Sequence, residues 1–239
     1  MTKFCLKCPV TIQLMLLMVL PVAGCGQDLA ALKETGAKIY TDDEGSVERI
    51  FLNKTDITDS GLKYLRGLTS LKELDLSSTQ ITDAGLEHLK NLTNLELLHL
   101  QKTQITGTGF VHLKGLTNLK ELNLMQARKV TDAGLVHLTE LTNLVRINLM
   151  STGVTDAGLE HLGKLTSLEQ LDLWKLRQVT DAGMEHLTGL TSLKDLDLKD
   201  TQVTAAGLET LKKALPQCNI ELVTTVARAR QERLTLIGH

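Results

Sequence analysis

Five histidines recur at a nearly constant spacing, and imidazole nitrogens are common protein ligands for metals such as zinc. They are His88, His112, His137, His161 and His186. None is followed three or four residues later by a second histidine or a cysteine, and Tyr64 and Thr210 take the same place at the two ends of the series. We therefore predict that this column is structural, with imidazoles that cap helix ends or bond neighbouring loops, and that it binds no metal.

Carboxylates form a second series of residues that could do chemistry. Stacked aspartates suggest calcium, but the Gly-Gly-x-Gly-x-Asp spacing of calcium-binding β-rolls is absent. These aspartates are Asp59, Asp83, Asp132, Asp156 and Asp181. Asp195 and Asp197 also lie close together, but an open sheet does not easily provide the pKa shifts that acid/base catalysis needs. GxSxG, HExxH and phosphate-binding glycine motifs are missing as well. We predict that the chain has no catalytic residue, binds no cofactor and is not an enzyme.

The positions of the cysteines indicate an export signal rather than a disulfide framework. Cys5, Cys8 and Cys25 lie at the N-terminus, and Cys218 stands alone. Residues 1–24 carry two lysines, an apolar run and small residues, which is the layout of a secretory signal peptide. The residues Val-Ala-Gly-Cys that end at Cys25 resemble the lipobox of bacterial lipoproteins. This resemblance implies a lipid on Cys25, and Gly26 in place of aspartate favours the outer over the inner membrane. An ordinary signal peptide and a retained anchor are the alternatives.

Composition narrows the class of partner. The chain has 239 residues, with 26 basic against 28 acidic side chains, so it lacks the basic excess that nucleic-acid phosphates require. Apolar residues make up 42% of the chain and aromatic residues only 3%, which suits a core built from leucine. We expect one elongated domain that does not bind nucleic acid.

These residues are set in a repeating frame. The stretch LKELDLSSTQITDAGLEHL, which starts at Leu71, returns at a period of 24 or 25 residues. The copies start at Val47, Leu71, Leu95, Leu119, Leu144, Leu168, Leu193 and, in degraded form, Gln217. Such a period with an LxxLxL core is typical of leucine-rich repeats, in which each unit is one strand and a short helix. The predicted fold is an α/β leucine-rich repeat solenoid over residues 47–223, with a parallel concave sheet and convex helices.

Each position in the repeat has a predicted role. Leucines at positions 1, 4 and 6 point inward, and positions 3 and 5 face the concave side. A buried threonine hydroxyl at position 9 bonds the turning backbone, whereas Ala127 and Leu176 mark two longer turns. The threonine of TDAGL caps a helix, and the dipole of that helix favours the aspartate in its first turn. The glycine permits close packing between adjacent convex helices. Residues 25–46 are predicted to form a linker and a cap of one helix, from Asp28 to Glu34, and a hairpin, and residues 224–239 a tail.

The TDAGL motif at Thr82, Thr131 and Thr155, with TDAGM at Thr180, carries a resemblance to a family. Residues 47–223 resemble the TDAGL-type leucine-rich repeats of planctomycete and related bacterial proteins, and are similar to repeats in eukaryotic F-box adaptors. The resemblance implies a curved solenoid that binds proteins, but no particular ligand. F-box adaptors begin with a helical domain that docks a ubiquitin ligase, whereas a signal peptide and a cap are predicted in that place here.

The concave face is where we expect function. Met125, Met150 and Trp174 occupy position 7 of consecutive repeats, and we predict that they form an exposed apolar strip that anchors a partner. Alternatively, the two longer turns fold these side chains back under the loops. The other predicted contact residues are Phe51, Leu97, His99, Asp172 and Asp197.

The predicted function is a non-catalytic scaffold that is tethered to the cell envelope and binds a protein or peptide. The alternatives are a structural envelope component without a discrete ligand, an F-box-like adaptor and a glycan binder.

Overall fold

The computed structural model describes residues 25–223, with side chains from residue 28 onward. The predicted signal segment at residues 1–24, the side chain of Cys25 and the tail at residues 224–239 lie outside this part. Within residues 25–223, no helix combines the length and the apolar character that crossing a membrane requires.

Within the described residues, nine strands form one open sheet, and their order in space is their order in the chain. They are β1 (Lys38–Thr41), β2 (Val47–Phe51), β3 (Glu73–Asp75), β4 (Leu97–His99), β5 (Glu121–Asn123), β6 (Arg146–Asn148), β7 (Gln170–Asp172), β8 (Asp195–Asp197) and β9 (Asn219–Glu221). β1 pairs with β2 in antiparallel fashion, and every later pair is parallel. Equivalent positions face each other, as Leu74 faces Leu98 and Leu98 faces Leu122. The repeats therefore stack as predicted.

Short helices form the other side of each repeat. The α-helices are α1 (Cys25–Glu34), α2 (Asp83–Leu86), α3 (Asp132–Leu135), α4 (Asp156–Leu162), α5 (Asp181–Leu187) and α6 (Ala205–Ala214). 3-10 turns span Asp59–Leu65, Glu87–Leu89, Thr108–His112 and Val136–Leu138. A repeat of about 24 residues leaves room for only one or two helical turns once the strand and its two bends are made.

The core is a continuous column of leucine between sheet and helices. Leu71, Leu74 and Leu76, at positions 1, 4 and 6, have no exposed surface, and the same holds for Leu95, Leu98 and Leu100 in the next repeat. A fully buried leucine contributes about 1.5–3 kcal/mol. Leu32 of α1 closes the column at the N-terminal end, where α1 packs against the turn Asp59–Leu65. A helix and a hairpin were predicted there, and α1 starts three residues earlier than the predicted Asp28.

The threonine at position 9 plays its predicted part in the turn after each strand. Its hydroxyl donates to the carbonyl of position 6, at 2.7 Å from Thr79 to Leu76 and 2.8 Å from Thr103 to Leu100. Ala127 and Leu176 replace it in the longer turns, where both are buried.

Position 8 has a conformation that the sequence did not indicate. Its φ lies between 56° and 63° in every turn, although none of these residues is glycine. The seven are Lys54, Ser78, Lys102, Gln126, Ser151, Lys175 and Asp200. Each N–H donates to the carbonyl of position 7 in the next repeat, as Gln126 does to Met150 at 2.7 Å. The sheet ladder thus continues past the strand ends and holds a backbone that costs about 1–2 kcal/mol for an L-residue.

The TDAGL threonines cap their helices wherever the preceding repeat supplies an aspartate. Thr82 accepts from the N–H of Ala84, and its hydroxyl donates to Asp59 at 2.6 Å. Thr155 before α4 and Thr180 before α5 do the same, and so does Thr204 of the related sequence TAAGL before α6. The prediction is wrong at Thr131, whose side chain makes no cap. Gly107 stands where the preceding repeat would carry the aspartate, so the acceptor that orients the other hydroxyls is missing.

Candidate functional site

The candidate site is the concave side of the sheet, which no other described element covers. Position 4 of each strand points into the core, so Leu122 and Leu171 are buried. Positions 3 and 5 on either side point outward, because successive residues of a strand alternate between faces. Each concave side chain therefore lies about 4.8 Å from its counterparts in adjacent repeats, close enough for polar groups to bond along the stack.

A depression of about 320 Å³ lies over β5 to β9. Its outward-facing lining is polar, and five carboxylates lie there with one guanidinium. These outward residues are Glu121, Asn123, Arg146, Asn148, Gln170, Asp172, Asp195, Asp197, Asn219 and Glu221. The depression can therefore accept a polar or cationic group.

Glu121 joins two neighbours at the β5 end of the depression. Its carboxylate accepts from Arg146 Nε at 2.7 Å, and Arg146 Nη2 lies 2.6 Å away. Its other oxygen lies 3.2 Å from His99 Nε2. This arrangement fixes the guanidinium along the sheet, so the charge of Arg146 is compensated within the chain.

Asp172 lies at the centre and is held by neutral donors. Asn148 Nδ2 donates to it at 2.7 Å, and the backbone N–H of Trp174 does so at 2.9 Å. Burial is the largest influence and raises the pKa of this carboxyl; the nearby charge of Asp197 adds to the rise. These hydrogen bonds and the charge of Lys199 act in the opposite direction without cancelling it.

Lys199 compensates the carboxylates at the other end. Its ammonium lies 2.5 Å from Glu221 and 2.9 Å from Asp197, and the hydrogen bonds to these two raise its pKa. Asp195 has only amide donors, from Gln170 at 3.4 Å and Asn219 at 3.3 Å. Asp172 and Asp195 are thus the carboxylates in the depression that make no ion pair within residues 28–223.

The side chains at position 7 are less exposed than predicted. Met150 is only 8% exposed, so its predicted exposure is wrong, and Met125 and Trp174 are half-buried. Position 7 lies beyond the strand end, just before the residue with positive φ. Trp174 Nε1 donates to Asp200 of the next repeat at 3.1 Å. The ammonium groups of Lys175 and Lys199 lie 4.5 and 5.6 Å from its ring centroid.

The predicted contact residues lie in two separate places. Asp172 and Asp197 face each other on β7 and β8 and line the depression. Phe51 lies on β2 at the far end of the sheet, where its ring meets Tyr40 edge to face at 5.6 Å. Leu97 and His99, both half-buried, lie on β4 between the two places. Cys25 contributes backbone to α1, and its side chain is not among those described.

Sequence reasoning did not select the groups that give the depression its charge. Glu121, Arg146, Asp195 and Glu221 stand at positions 3 and 5, so the signal was the density of charge in these columns over the last repeats. The large apolar residues of position 7 drew attention away from them. Lys199 was missed because its ammonium reaches carboxylates of its own strand and of the next one.

The histidine column lies on the convex side, away from the depression. His88 is half-buried, and its Nδ1 and that of His161 are enclosed without a hydrogen-bond partner. Burial, and then the charge of Arg66, lower the pKa of His88. Within the described side chains, no three His, Cys, Asp or Glu residues are grouped to hold a metal ion.

Comparison with known proteins agrees with this architecture. The family model described as Leucine Rich repeat matches residues 67–90, 140–163 and 189–212, each of which is one repeat long. The chain folds as a leucine-rich repeat solenoid. No curated protein matches it.

Two solved structures of Listeria monocytogenes internalins share this leucine-rich repeat fold. The internalin inlF superposes with a TM-score of 0.60 at 24% identity, over 82% of this chain and 54% of its own. Internalin C2 gives the same TM-score, identity and coverage of this chain, with 92% of its own length covered. This chain thus spans about half of inlF, and at such identity the likeness concerns the fold alone.

Proposed function

We propose that this chain is a non-catalytic scaffold that binds a protein or peptide on its concave sheet, and that it is tethered to the bacterial cell envelope. The observation that carries the first half is the uncovered sheet face with its polar depression over β5 to β9. Curved solenoids use such extended concave surfaces for binding. We also place the chain among the TDAGL-type repeat proteins of planctomycete-like bacteria.

Variation among the repeats supports a binding role for this face. The inward positions carry leucine or a similar apolar residue in nearly every repeat, because the stack needs the same volume at each level. Position 3 instead changes from arginine to glutamate, leucine, glutamine and aspartate along the same stack. The frame does not require these changes. A partner that contacts several repeats at once would require each to differ.

The test is site-specific crosslinking in intact cells. A photo-reactive amino acid replaces Gln170, which is exposed on the concave face, or Glu185, which is exposed on the convex helix α5. We expect one discrete crosslinked protein from position 170 and none from position 185. Equal products from both positions, or none from either, would contradict a concave binding site, and no discrete product is what a structural component would give.

The tether is tested through its cysteine. The order of lysines, apolar run and Val-Ala-Gly-Cys supports lipid attachment at Cys25. Cys25→Ser is expected to release the protein from the membrane fraction, whereas Cys218→Ser, which removes a cysteine of the repeat domain, is expected to leave it there. An intact mass without lipid on the mature chain would refute the tether.

A further inference from the structure

The turns that follow strands β2 to β8 concentrate positive charge on one flank of the solenoid. These turns, which we call the turn rim, are residues 53–57, 77–81, 101–105, 125–130, 150–154, 174–179 and 199–203. Seven basic side chains stand there against two acidic ones, Asp56 and Asp200. The basic residues are Lys54, Lys102, Arg128, Lys129, Lys175, Arg177 and Lys199. The whole chain has 26 basic and 28 acidic residues, so this local balance is opposite to that of the chain.

Backbone hydrogen bonds hold the turns of the rim in register. At each step the N–H of position 8 donates to the carbonyl of position 7 in the next turn, as Lys54 does to Ser77 and Lys175 does to Lys199, both at 2.9 Å. Adjacent turns therefore lie about 4.8 Å apart, and the seven of them extend over about 29 Å. The rim thus presents its basic residues at fixed places along one continuous surface.

Most of these charges are not compensated within the described part of the chain. Lys199 is paired with Asp197 and Glu221. The other six basic residues form no ion pair with any described side chain. Five of the six are exposed, and Lys175 is half-buried, with its ammonium 4.5 Å from the ring centroid of Trp174. A second surface of negative charge can therefore approach the rim without breaking ion pairs of these six residues.

The opposite flank, where the strands start, is neutralised by its own sequence. Lysine and glutamate alternate at position 2 and bond each other between repeats. The pairs are Lys72 with Glu48 at 2.6 Å, Lys120 with Glu96 at 2.6 Å and Lys194 with Glu169 at 2.7 Å. The repeat frame can thus neutralise a column of lysines, but it does not do so at the rim. The backbone of position 8 does not require lysine either, because Ser78 and Gln126 take the same positive φ as Lys54.

The rim also carries side chains that suit the boundary between water and lipid. Met125 and Trp174, both half-buried, stand at position 7 within it. Tryptophan is enriched at membrane–water interfaces, and basic residues beside apolar ones are typical of surfaces that lie on anionic membranes. The phosphates of a nucleic acid would attract the same charges. The tether proposed above already places the chain at a membrane, which favours lipid over nucleic acid as the source of the phosphates.

We propose that the turn rim lies against a membrane surface of anionic lipids. This inference rests on the proposed tether, because a single attached lipid binds reversibly and a basic surface beside it makes the attachment stable. The attraction acts within about a Debye length of the headgroups and weakens with salt. In this orientation the neutral flank faces away from the lipid, and the concave sheet between the two flanks stays open to a partner.

Trp174 is the single tryptophan of the chain and therefore reports on the rim. The full chain is mixed with vesicles of phosphatidylcholine alone, or of phosphatidylcholine with about a third of phosphatidylglycerol to supply negative charge. Both contain a lipid with a spin label near the headgroup, which quenches tryptophan emission on contact. We expect quenching of Trp174 by the anionic vesicles to exceed that by the neutral ones several-fold, and to fall in high salt. Equal quenching by both would overturn the proposal.

A triple variant removes charge from the rim without touching the reporter. It combines Lys54→Gln, Lys102→Gln and Lys129→Gln, and none of these lysines contacts Trp174 in a cation–π pair. Gln126, at φ 59°, shows that glutamine fits the backbone of Lys54 and Lys102. We expect several-fold less quenching by anionic vesicles, with the midpoint of thermal unfolding unchanged because the three lysines form no ion pair with described side chains.

The matched control removes the same charge elsewhere. It combines Lys114→Gln, Lys164→Gln and Lys212→Gln, at exposed lysines outside the rim that also lack an ion pair among the described side chains. We expect quenching as in the wild type, and an equal loss in both triple variants would overturn the proposal. Duplex DNA that changes the emission of Trp174 while anionic vesicles do not would assign the rim to nucleic acid and also overturn it.

Floating the vesicles in a density gradient separates this contact from the tether. A chain that floats with both kinds of vesicle while Trp174 is not quenched would keep the tether and refute the contact of the rim. Quenching by anionic vesicles in a chain whose intact mass shows no lipid would support the rim and refute the tether.

Discussion

Asp83 reaches across the boundary between two repeats, where its carboxylate accepts the backbone N–H of Gly109 at 2.9 Å. The same carboxylate also accepts the hydroxyl and N–H of Thr106 and the N–H of Gly107. Equivalent bonds join Asp59 to Thr82, Asp132 to Thr155, Asp156 to Thr180 and Asp181 to Thr204. The aspartate column thus fastens neighbouring repeats together on the convex side.

Asp83→Asn is expected to lower the free energy of unfolding by about 1–3 kcal/mol, because charge-assisted bonds are lost and one N–H is left facing a donor. Denaturant unfolding measures the change. Asp56→Asn is the matched control, since Asp56 is an exposed aspartate of the preceding repeat with no hydrogen bond or ion pair among the described side chains. If Asp56→Asn lowers the free energy of unfolding as much as Asp83→Asn does, the loss of charge and not the loss of the inter-repeat bonds is the cause.

The same aspartate predicts a pH dependence. Burial alone would raise the pKa of Asp83, but bonds from Thr106, Gly109 and Gly107 outweigh it and hold the pKa below its ordinary 3.8. The folded state therefore favours the ionised form. Its stabilisation is complete above the unfolded pKa and is lost as the pH falls through the folded pKa. The stability difference between wild type and Asp83→Asn should shrink below about pH 4, and a constant difference down to pH 2 would contradict this cause.

Gly134→Ala tests a close approach of two repeats. A Cβ at Gly134 would lie 2.6 Å from the Cα of Gly107, so backbone must move. Overpacking of this kind costs about 1–3 kcal/mol. Gly189→Ala is the control, because no atom lies within 4 Å of its added Cβ. Thermal unfolding is expected to show a lower midpoint for Gly134→Ala only, and equal midpoints for the two variants would refute the steric argument.

Much of the frame was predictable because leucine spacing reports burial directly. The period placed strand, turn and helix correctly, and Thr79 was assigned its bond to the backbone. The role of Asp83 was not predicted. Its effect on the helix dipole is local, whereas the hydrogen bonds that it accepts come from the next repeat. The positive φ of Lys54 was hidden for the same reason. Bonds between repeats hold that conformation, and no glycine marks it.

The site was harder to predict than the frame. Strand alternation correctly turned Asp172 and Asp197 toward the concave side. Alternation does not extend to Met150, because the strand ends two residues earlier and the turn redirects its side chain. The ion pair of Lys199 with Glu221 forms because the long lysine side chain extends to the next strand, which the aligned repeat positions do not show.

The shared core predicts a large effect at one leucine. Leu122 on β5 has no exposed surface, so Leu122→Ala is expected to cost about 2–5 kcal/mol. Val136→Ala, at an apolar residue that is 43% exposed, should stay within about 0.5 kcal/mol. Chemical denaturation of both variants gives the comparison. If Leu122→Ala unfolds at the wild-type denaturant concentration, the continuous core is wrong.

Cys218 provides a chemical probe of the last repeat. Burial, with the charge of Asp195 added, raises the pKa of this thiol to about 11 from its ordinary 9.0. Only the thiolate reacts with iodoacetamide, so at pH 8 the folded protein should alkylate Cys218 about a hundredfold more slowly than the denatured chain. Peptide mass analysis follows this cysteine separately from the three others. Asp195→Asn removes the smaller of the two causes, so its rate should rise only modestly. A folded rate that matches the denatured rate would show that the thiol is open to solvent.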